Sequence, residues 1–298
     1  MNHKLPKIVF FGTEEYNSLV TLKTLVEAGV QISAVVTKPD TARGRGQKLT
    51  QPPVKIYALE HGIEVWQPLK LRDITDNIKK LQPVVGILVA YGKIIPQSTI
   101  DLFTPGIINI HPSLLPLWRG PSPIEAAIAN QDSKTGVTIM QLEAGMDSGP
   151  IYSQTELQLS GTETKLELYD KLFNLGSQML IDQLEDIVTG KLKPKAQDHE
   201  KATYCSMLSK DDSLIDPIKL SAAQADARVR AHLGFPRSRI TFGDHTLIVT
   251  KTHVSKEQKS PLDIKCSDDN YLVIDELIAP SGKTMTAEAF LLGYAAKV

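Results

Sequence analysis

The chain has 298 residues, of which 42% are hydrophobic and 22% charged, and its formal net charge is -1 at pH 7. A chain of this length can bury a large core and form about two domains, and its composition excludes disordered, collagen-like and coiled-coil proteins. Its two cysteines lack metal-ligand spacing, which argues against a disulfide scaffold or a zinc site. No apolar run approaches the roughly 20 residues of a membrane span, so we expect a cytoplasmic protein without membrane contact.

The first 110 residues alternate between short apolar runs and helical spacing. Strands are predicted over residues 7–11, 32–37, 83–90 and 106–110, and helices over residues 16–28 and 53–60. Short, fully apolar strands separated by helices are typical of a parallel sheet that is covered on both faces. In such sheets ligands bind beyond the carboxyl ends of the strands, so the loop after Ile110 is the first place to expect a site.

The pattern changes in the rest of the chain. We predict strands over 136–141 and 151–159, a helix over 164–188, and then a polar segment with the character of a linker. After it we predict a helix over 221–232 with Ser221 as its N-terminal cap. Short strands over 238–242, 246–252, 262–266 and 271–278 and a closing helix over 287–292 complete the pattern. Closely spaced short strands predict a small β-barrel or sandwich. The predicted division is a first domain over 1–189, a linker over 190–206 and a second domain over 207–298.

Asn109 and His111 stand at the end of a predicted buried strand, in the sequence NIHPSLLPLWRG. Residues i and i+2 of an extended chain point to the same side, so both side chains can face one crevice. An amide and an imidazole are donors of the kind that stabilise oxygen charge in acyl transfer. The spacing fits equally well a histidine that is satisfied by backbone groups beside a turn-forming asparagine.

Asp147 lies in a glycine-flanked turn, EAGMDSGP. Aspartate is common in turns for purely structural reasons. A carboxylate near His111 would instead hold the imidazole and favour its cationic form.

A long basic loop over residues 38–53 includes Arg43, Arg45 and Lys48. Arginines on such a loop suit phosphate contacts, although a solvated surface loop would have the same composition. The GxGxxG and Walker A patterns are missing from the sequence, so a dinucleotide site is not supported.

These motifs carry a resemblance to a known family. NIHPSLLPLWRG together with the downstream MDSG resembles the formyltransferases that use 10-formyltetrahydrofolate. Within that family, KPD…GRGQKL, TGVTIMQLEAGMDSGP and VRAHLGFPRSR resemble the methionyl-tRNA formyltransferases. Two segments depart from the pattern: GTEEY stands where the family has GTPEF or GTPxF, and LGFPRSR replaces a stretch that usually contains Asn-Pro-Trp.

The resemblance implies a Rossmann-like α/β domain with a mostly parallel sheet, followed by a smaller OB-like β-barrel domain that binds tRNA. It implies transfer of a formyl group from 10-formyltetrahydrofolate to the α-amino group of methionyl initiator tRNA, without a metal ion, by a monomer.

The implied catalytic residues are Asn109 and His111, as stabilisers of the developing oxyanion, and Asp147, as the residue that orients His111. Candidates for folate contacts are Ser113, Leu114, Leu115 and Pro116, with Ile87, Leu88, Val89 and Tyr91 as lining of the pterin pocket. Candidates for tRNA contacts, chosen by charge and position, are Arg43, Arg45, Lys48, Lys210, Arg228, Arg230, Arg237 and Arg239.

Two alternatives remain open at this point. The same three catalytic residues would serve formyl transfer to a small amine, such as glycinamide ribonucleotide or an amino sugar, but an enzyme of the ribonucleotide type has no need of a domain beyond about residue 205 or of the basic loop. A non-catalytic nucleic-acid-binding protein is the other alternative. Such a protein needs aromatic side chains on which the bases stack, and only 6% of the residues here are aromatic.

Overall fold

The computed structural model describes residues 6–43, 48–82 and 84–294, except for the side chains of Tyr16, Arg43 and Lys48. The chain divides into two compact units, each assembled from separate segments. The first unit comprises residues 1–119, 136–156 and 169–204, and the second comprises residues 120–135, 157–168 and 205–298. The described part of the chain includes no helix that is both long and apolar enough to cross a membrane.

The strands and helices have the following bounds. The strands are β1 (Lys7–Gly12), β2 (Ile32–Val36), β3 (Thr41–Arg43), β4 (Lys48–Thr50), β5 (Glu64–Trp66), β6 (Val84–Val89), β7 (Ile107–His111), β8 (Lys134–Gln141), β9 (Ile151–Gln158), β10 (Arg239–Phe242), β11 (His245–Ser255), β12 (Ile264–Lys265), β13 (Tyr271–Ile278) and β14 (Thr284–Thr286). The helices are α1 (Val20–Glu27), α2 (Pro53–Glu60), α3 (Thr75–Lys80), α4 (Gln97–Ile100), α5 (Pro123–Ala129), α6 (Lys165–Val188), α7 (Ala222–Ala231) and α8 (Ala287–Tyr294).

Seven strands form the main sheet in the order β5-β2-β1-β6-β7-β8-β9. The pairs from β5 to β7 are parallel, and β8 pairs with β7 in the antiparallel direction. Strands β1, β6 and β7 are buried over nearly their whole length, as expected for a sheet that is covered on both faces. The predicted mostly parallel α/β fold is confirmed.

Strand β7 divides its side chains between the two faces of this sheet. Ile107, Asn109 and His111 point to one face, where Ile107 joins a buried cluster with Phe11 and Tyr91. Ile110 points to the other face.

Helix α6 approaches β7 closely on that second face, at Gly176. A Cβ atom at Gly176 would lie 2.6 Å from Cγ2 of Ile110 and 2.9 Å from Cγ1 of Val137. Real Cβ atoms do not make contacts this short, so the missing side chain is what lets the helix pack directly on the strand.

The second unit contains a five-stranded antiparallel sheet in the order β10-β11-β13-β12, with β14 also paired to β13. Its buried core includes Leu247, Leu272 and Phe290. Helix α7 begins with the predicted cap, in which the Ser221 hydroxyl accepts from the Gln224 N–H and the Gln224 side chain accepts from the Ser221 N–H. A smaller β domain after the α/β part is therefore confirmed.

The structure adds elements that the sequence pattern does not predict. Strands β3 and β4 pair within the predicted basic loop, and β5, β14, α3, α4 and α5 are further additions. All of them span three to seven residues, which is too short for a hydrophobic period to develop.

The segment predicted as a linker is attached to the first unit by backbone hydrogen bonds. Lys195 exchanges both of its backbone bonds with Ile151, and residues His199–Lys201 form a turn of 3-10 helix. The division of the chain at residues 190–206 stays a prediction.

Candidate active site

His111 is the last residue of β7, and its ring lies between two oxygen atoms. Nε2 is 3.0 Å from the backbone oxygen of Trp118, and Nδ1 is 3.7 Å from Oδ2 of Asp147. A carbonyl oxygen can only accept, so Nε2 carries a proton and donates it to Trp118. The ring that is protonated on both nitrogens is the form that can also direct an N–H at the carboxylate.

Asn109 precedes His111 by two residues and lies on the same face of β7. Its side chain is 5% exposed. No hydrogen bond joins its side-chain amide to another residue in the described part of the chain, so the amide is available to a ligand oxygen. The sequence predicts that Asn109 and His111 face one crevice, and the structure puts them on one face of the sheet, at its carboxyl edge.

Asp147 lies in the turn between β8 and β9, and its side chain is 19% exposed. Asp147 and Trp118, whose oxygen atoms face the two ring nitrogens of His111, have left-handed backbone conformations, with φ of 46° at Asp147 and 56° at Trp118. Residues other than glycine adopt this backbone conformation at an energetic cost, so surrounding contacts must hold these two backbones in place.

The segment from Ser113 to Pro116 is fixed by contacts to neighbouring strands. The Thr138 hydroxyl donates to the Ser113 oxygen over 2.6 Å, and the Gln154 amide donates to the Leu115 oxygen over 2.8 Å. The Ser113 hydroxyl donates to the Leu117 oxygen over 2.6 Å. The Ser113 side chain is therefore engaged within the protein, while the backbone forms a rigid wall beyond His111.

The candidate folate residues of β6 do not all lie on one face. Leu88 pairs with Asn109 across the sheet and shares its face, and Leu88 is partly exposed. Ile87 and Val89 are 0% exposed and point to the opposite face, so their side chains support the strand and do not reach the face of Asn109. Their assignment as pocket lining is not supported by this placement.

Tyr91 follows β6 and is almost completely buried beside Phe11, with ring centroids 5.7 Å apart. Its hydroxyl has no hydrogen-bond partner within the described ranges. Burial raises the pKa of Tyr91 to about 12, so the hydroxyl keeps its proton at neutral pH and can donate.

The basic residues predicted to contact tRNA differ in the exposure of their side chains. Arg45 lies outside the described residues, and for Arg43 and Lys48 the structure gives the backbone pairing of β3 with β4. Lys210 is exposed, as is Arg237, whose Nε donates to the Gly234 oxygen over 3.1 Å. Arg228 and Arg239 are partly buried.

Arg230 is engaged inside the second unit. Its Nε donates to Asp226 over 2.9 Å and its Nη1 to the Glu163 oxygen over 2.8 Å. A side chain with both ends of its guanidinium occupied is a weaker candidate for a phosphate contact than Arg237.

Two buried polar residues beside this site are missing from the sequence-based prediction. Arg119 belongs to the NIHPSLLPLWRG motif, whose pattern indicates no role for it, and Gln197 falls in the segment predicted as a linker. A single glutamine in a polar stretch has no periodic pattern that would mark it as buried.

In the described ranges, His, Cys, Asp and Glu side chains form no group of three or more that could hold a metal ion. The amide of Asn109 and the imidazole of His111 can stabilise a reacting oxygen by hydrogen bonding and by charge.

Family comparisons agree with the motifs. The chain matches the model described as formyl transferase over residues 6–184 and that described as formyl transferase, C-terminal domain, over residues 207–295. It is 34% identical over 307 residues to the methionyl-tRNA formyltransferase of Sulfurihydrogenibium sp. (strain YO3AOP1), which covers 98% of each chain. It is 37% identical over 297 residues to the methionyl-tRNA formyltransferase of Geobacter metallireducens, covering 96% of this chain and 95% of that protein.

Solved structures show the same fold. The N-formyltransferase from Helicobacter canadensis in complex with folinic acid and dTDP-3-aminofucose superposes with a TM-score of 0.68 at 17% identity, over 91% of this chain and 99% of that chain. WlaRD, a sugar 3N-formyl transferase, superposes with a TM-score of 0.66 at 20% identity, over 91% of this chain and 97% of that chain. With both family models matched and more than a third of the residues shared with full-length relatives, the chain belongs to the formyl transferase family.

Proposed function

We propose that this protein transfers the formyl group of 10-formyltetrahydrofolate to the α-amino group of methionyl initiator tRNA. The observation that carries the proposal is the match over nearly the whole chain, second domain included, to methionyl-tRNA formyltransferases. The His111 ring between Asp147 and Trp118, with Asn109 on the same face, supplies the groups that this reaction requires.

In the reaction, the neutral amine attacks the formyl carbon and a tetrahedral species with a negative oxygen forms. Asn109 donates to that oxygen and the cationic His111 ring stabilises its charge. Asp147 orients the ring and takes up, through water, the proton that the amine loses. The carbonyl then re-forms as the bond from the carbon to N10 breaks. N10 takes the proton back from Asp147 through water, and the products are the formamide and tetrahydrofolate.

The folate is best accommodated on the face of the sheet that carries Asn109. Leu88 and Tyr91 offer an apolar wall with one buried hydroxyl donor, and the backbone of residues 113–116 offers a rigid edge.

For the tRNA, Lys210 and Arg237 are the exposed candidates of the second unit, and Arg43, Arg45 and Lys48 are candidates by sequence. Arg228, Arg230 and Arg239 remain weaker candidates. We propose further that the enzyme acts as a monomer, and that it acts in the cytoplasm, where translation starts.

An acceptor assay with labelled 10-formyltetrahydrofolate tests the proposal. We expect transfer to methionyl initiator tRNA and none to glycinamide ribonucleotide or a nucleotide-linked amino sugar. The variants His111→Ala and Asp147→Asn should each lower the rate by about 10²- to 10³-fold. Asp198→Asn, an exposed carboxylate on the same unit, is the matched control and should keep the wild-type rate.

Two results would count against this assignment. Transfer to an amino sugar with none to tRNA would favour the small-amine alternative. Near wild-type transfer to tRNA in both variants would remove His111 and Asp147 from the mechanism.

A further inference from the structure

Gln197 binds the backbone of the turn that carries Asp147. Its Nε2 donates to the Asp147 oxygen over 2.8 Å and to the Gly149 oxygen over 2.7 Å, so both amide hydrogens are used. The side chain is 7% exposed. A buried amide with both donors engaged fixes the position of its two acceptors strongly, because breaking either bond leaves a polar group unsatisfied.

The same side chain also binds Arg119. The Gln197 Oε1 accepts from Nε of Arg119 over 3.1 Å and from Nη2 over 2.7 Å. Arg119 is 2% exposed, and it directly follows Trp118, the residue whose carbonyl accepts from His111. One glutamine thus connects the peptide chain on the Nδ1 side of His111 to the peptide chain on the Nε2 side.

The segment after Gln197 strengthens the connection at Trp118. The Thr203 hydroxyl accepts from the Trp118 N–H over 2.8 Å, and the Thr203 oxygen accepts from the Arg119 N–H over 2.9 Å. The two backbones held in this way, at Asp147 and Trp118, both have left-handed φ values. Gln197, Arg119 and Thr203 therefore hold the two strained residues between which the imidazole lies.

We propose that Gln197 and Arg119 are positioning residues for formyl transfer: together they set the places of the Asp147 carboxylate and the Trp118 carbonyl, and so the orientation and protonation of the His111 ring. Neither residue is required to touch the substrate. The kinetic part of this inference rests on the proposed function, whereas the geometric part concerns the protein alone.

The variant Gln197→Glu separates positioning from general stability. Glutamate keeps the size of the side chain and the acceptor for Arg119, so the fold should be retained. It loses both donors and places a carboxylate against the carbonyls of Asp147 and Gly149. We expect kcat to fall by about 10- to 100-fold while the KM values for folate and tRNA change little, since misplacing a catalytic group impairs the transfer step itself.

Two companion variants complete the set. Gln197→Ala should lower kcat in the same way, and Arg119→Lys, which keeps the charge but loses the planar fork, should lower it less. Asp198→Asn, at the neighbouring position with an exposed side chain, is the control and should match the wild type. Thermal unfolding of each variant reports whether the fold is retained.

A second measurement does not depend on activity. In protein labelled with 15N at histidine, the ring signals of His111, assigned by comparison with His111→Gln, report the protonation of both nitrogens. We expect these signals, and their response to pH, to change in Gln197→Glu and Gln197→Ala and to stay unchanged in Asp198→Asn.

The inference is overturned if Gln197→Glu and Gln197→Ala retain kcat within about twofold, or if they leave the His111 signals superimposable on those of the wild type. Loss of kcat that follows only the loss of folded protein would overturn it as well. A wild-type protein that is inactive on methionyl-tRNA would instead contradict the proposed function, and the ring signals would still decide on positioning.

Discussion

The two units differ in where their polar side chains lie. In the first unit Arg119 and Gln197 are buried and hydrogen-bonded to each other, and His111 is buried at the end of β7. In the second unit a mainly apolar core lies under the antiparallel sheet, and candidate side chains such as Lys210 and Arg237 are exposed. Buried polar groups need defined partners, so their roles follow from geometry. Exposed charges are compatible with many partners, and their roles must be measured.

The largest effect is expected at Asn109. Asn109→Ala should lower kcat by about 10²- to 10³-fold, because it removes one donor to the reacting oxygen. The free energy of unfolding should change little, since the amide has no side-chain hydrogen bond to another described residue. Steady-state kinetics and urea unfolding check this, with the exposed Asn130→Ala as control. A loss of kcat below about threefold would contradict the role of Asn109.

A smaller effect concerns acid stability of the second unit. Burial, followed by the charge of Arg228, lowers the pKa of His232 from 6.5 to about 4. The unfolded chain therefore binds this proton at a higher pH than the folded protein does. The free energy of unfolding falls as the pH drops from about 6.5 to 4, and above that range His232 does not change it. From pH 7 to pH 5 the free energy of unfolding should drop by about 2 kcal/mol because of His232.

Urea unfolding of wild type and His232→Gln at the two pH values measures this contribution. The variant should lose correspondingly less stability on acidification. An identical loss in both proteins would show that the neutral imidazole of His232 is not what makes the second unit sensitive to acid.

The next effect separates two arginines of the second unit. Arg230→Gln should lower the free energy of unfolding by about 1–2 kcal/mol, because it breaks bonds to Asp226 and to the Glu163 oxygen. The KM for tRNA should stay close to that of the wild type. A large rise in KM with unchanged stability would place Arg230 at the tRNA after all.

The smallest effect on stability is expected at Arg237. Arg237→Gln should leave the free energy of unfolding within about 0.5 kcal/mol, since the side chain is exposed. If Arg237 contacts a tRNA phosphate, the variant should have a higher KM for tRNA. The slope of log K for tRNA binding against log salt concentration should become shallower by about one. Unchanged tRNA kinetics at several salt concentrations would exclude it as a contact.

Local sequence signals predicted the elements that depend on local chemistry. The Ser221 cap of α7 needs only residues within one turn, and the bounds of α2 and β13 follow from a proline start and a strong apolar pattern. The position of Asn109 and His111 on one face follows from alternation along β7.

The contacts around the site could not be predicted in this way, because they join residues that are far apart in the sequence. The bond from Gln197 to the Asp147 turn joins residues 50 positions apart, and the bonds to Arg119 span 78. Nothing in the local composition of a polar stretch encodes such a pairing. The opposite faces of Leu88 and Val89 could have been inferred from alternation, but which face meets Asn109 depends on the register of β6 against β7.

The attachment of residues 195–204 to the first unit bears on how the enzyme can be divided. A catalytic fragment that ends where the long helix α6 ends, at Val188, would keep Asn109, His111 and Asp147 yet lack Gln197 and Thr203. Such a fragment would retain every reacting group and lose the side chains that hold the backbones of Asp147 and Trp118 in left-handed conformations. A catalytic fragment that keeps these side chains therefore has to extend to Tyr204, where the first unit ends. This is close to residue 207, at which the second family model begins to match.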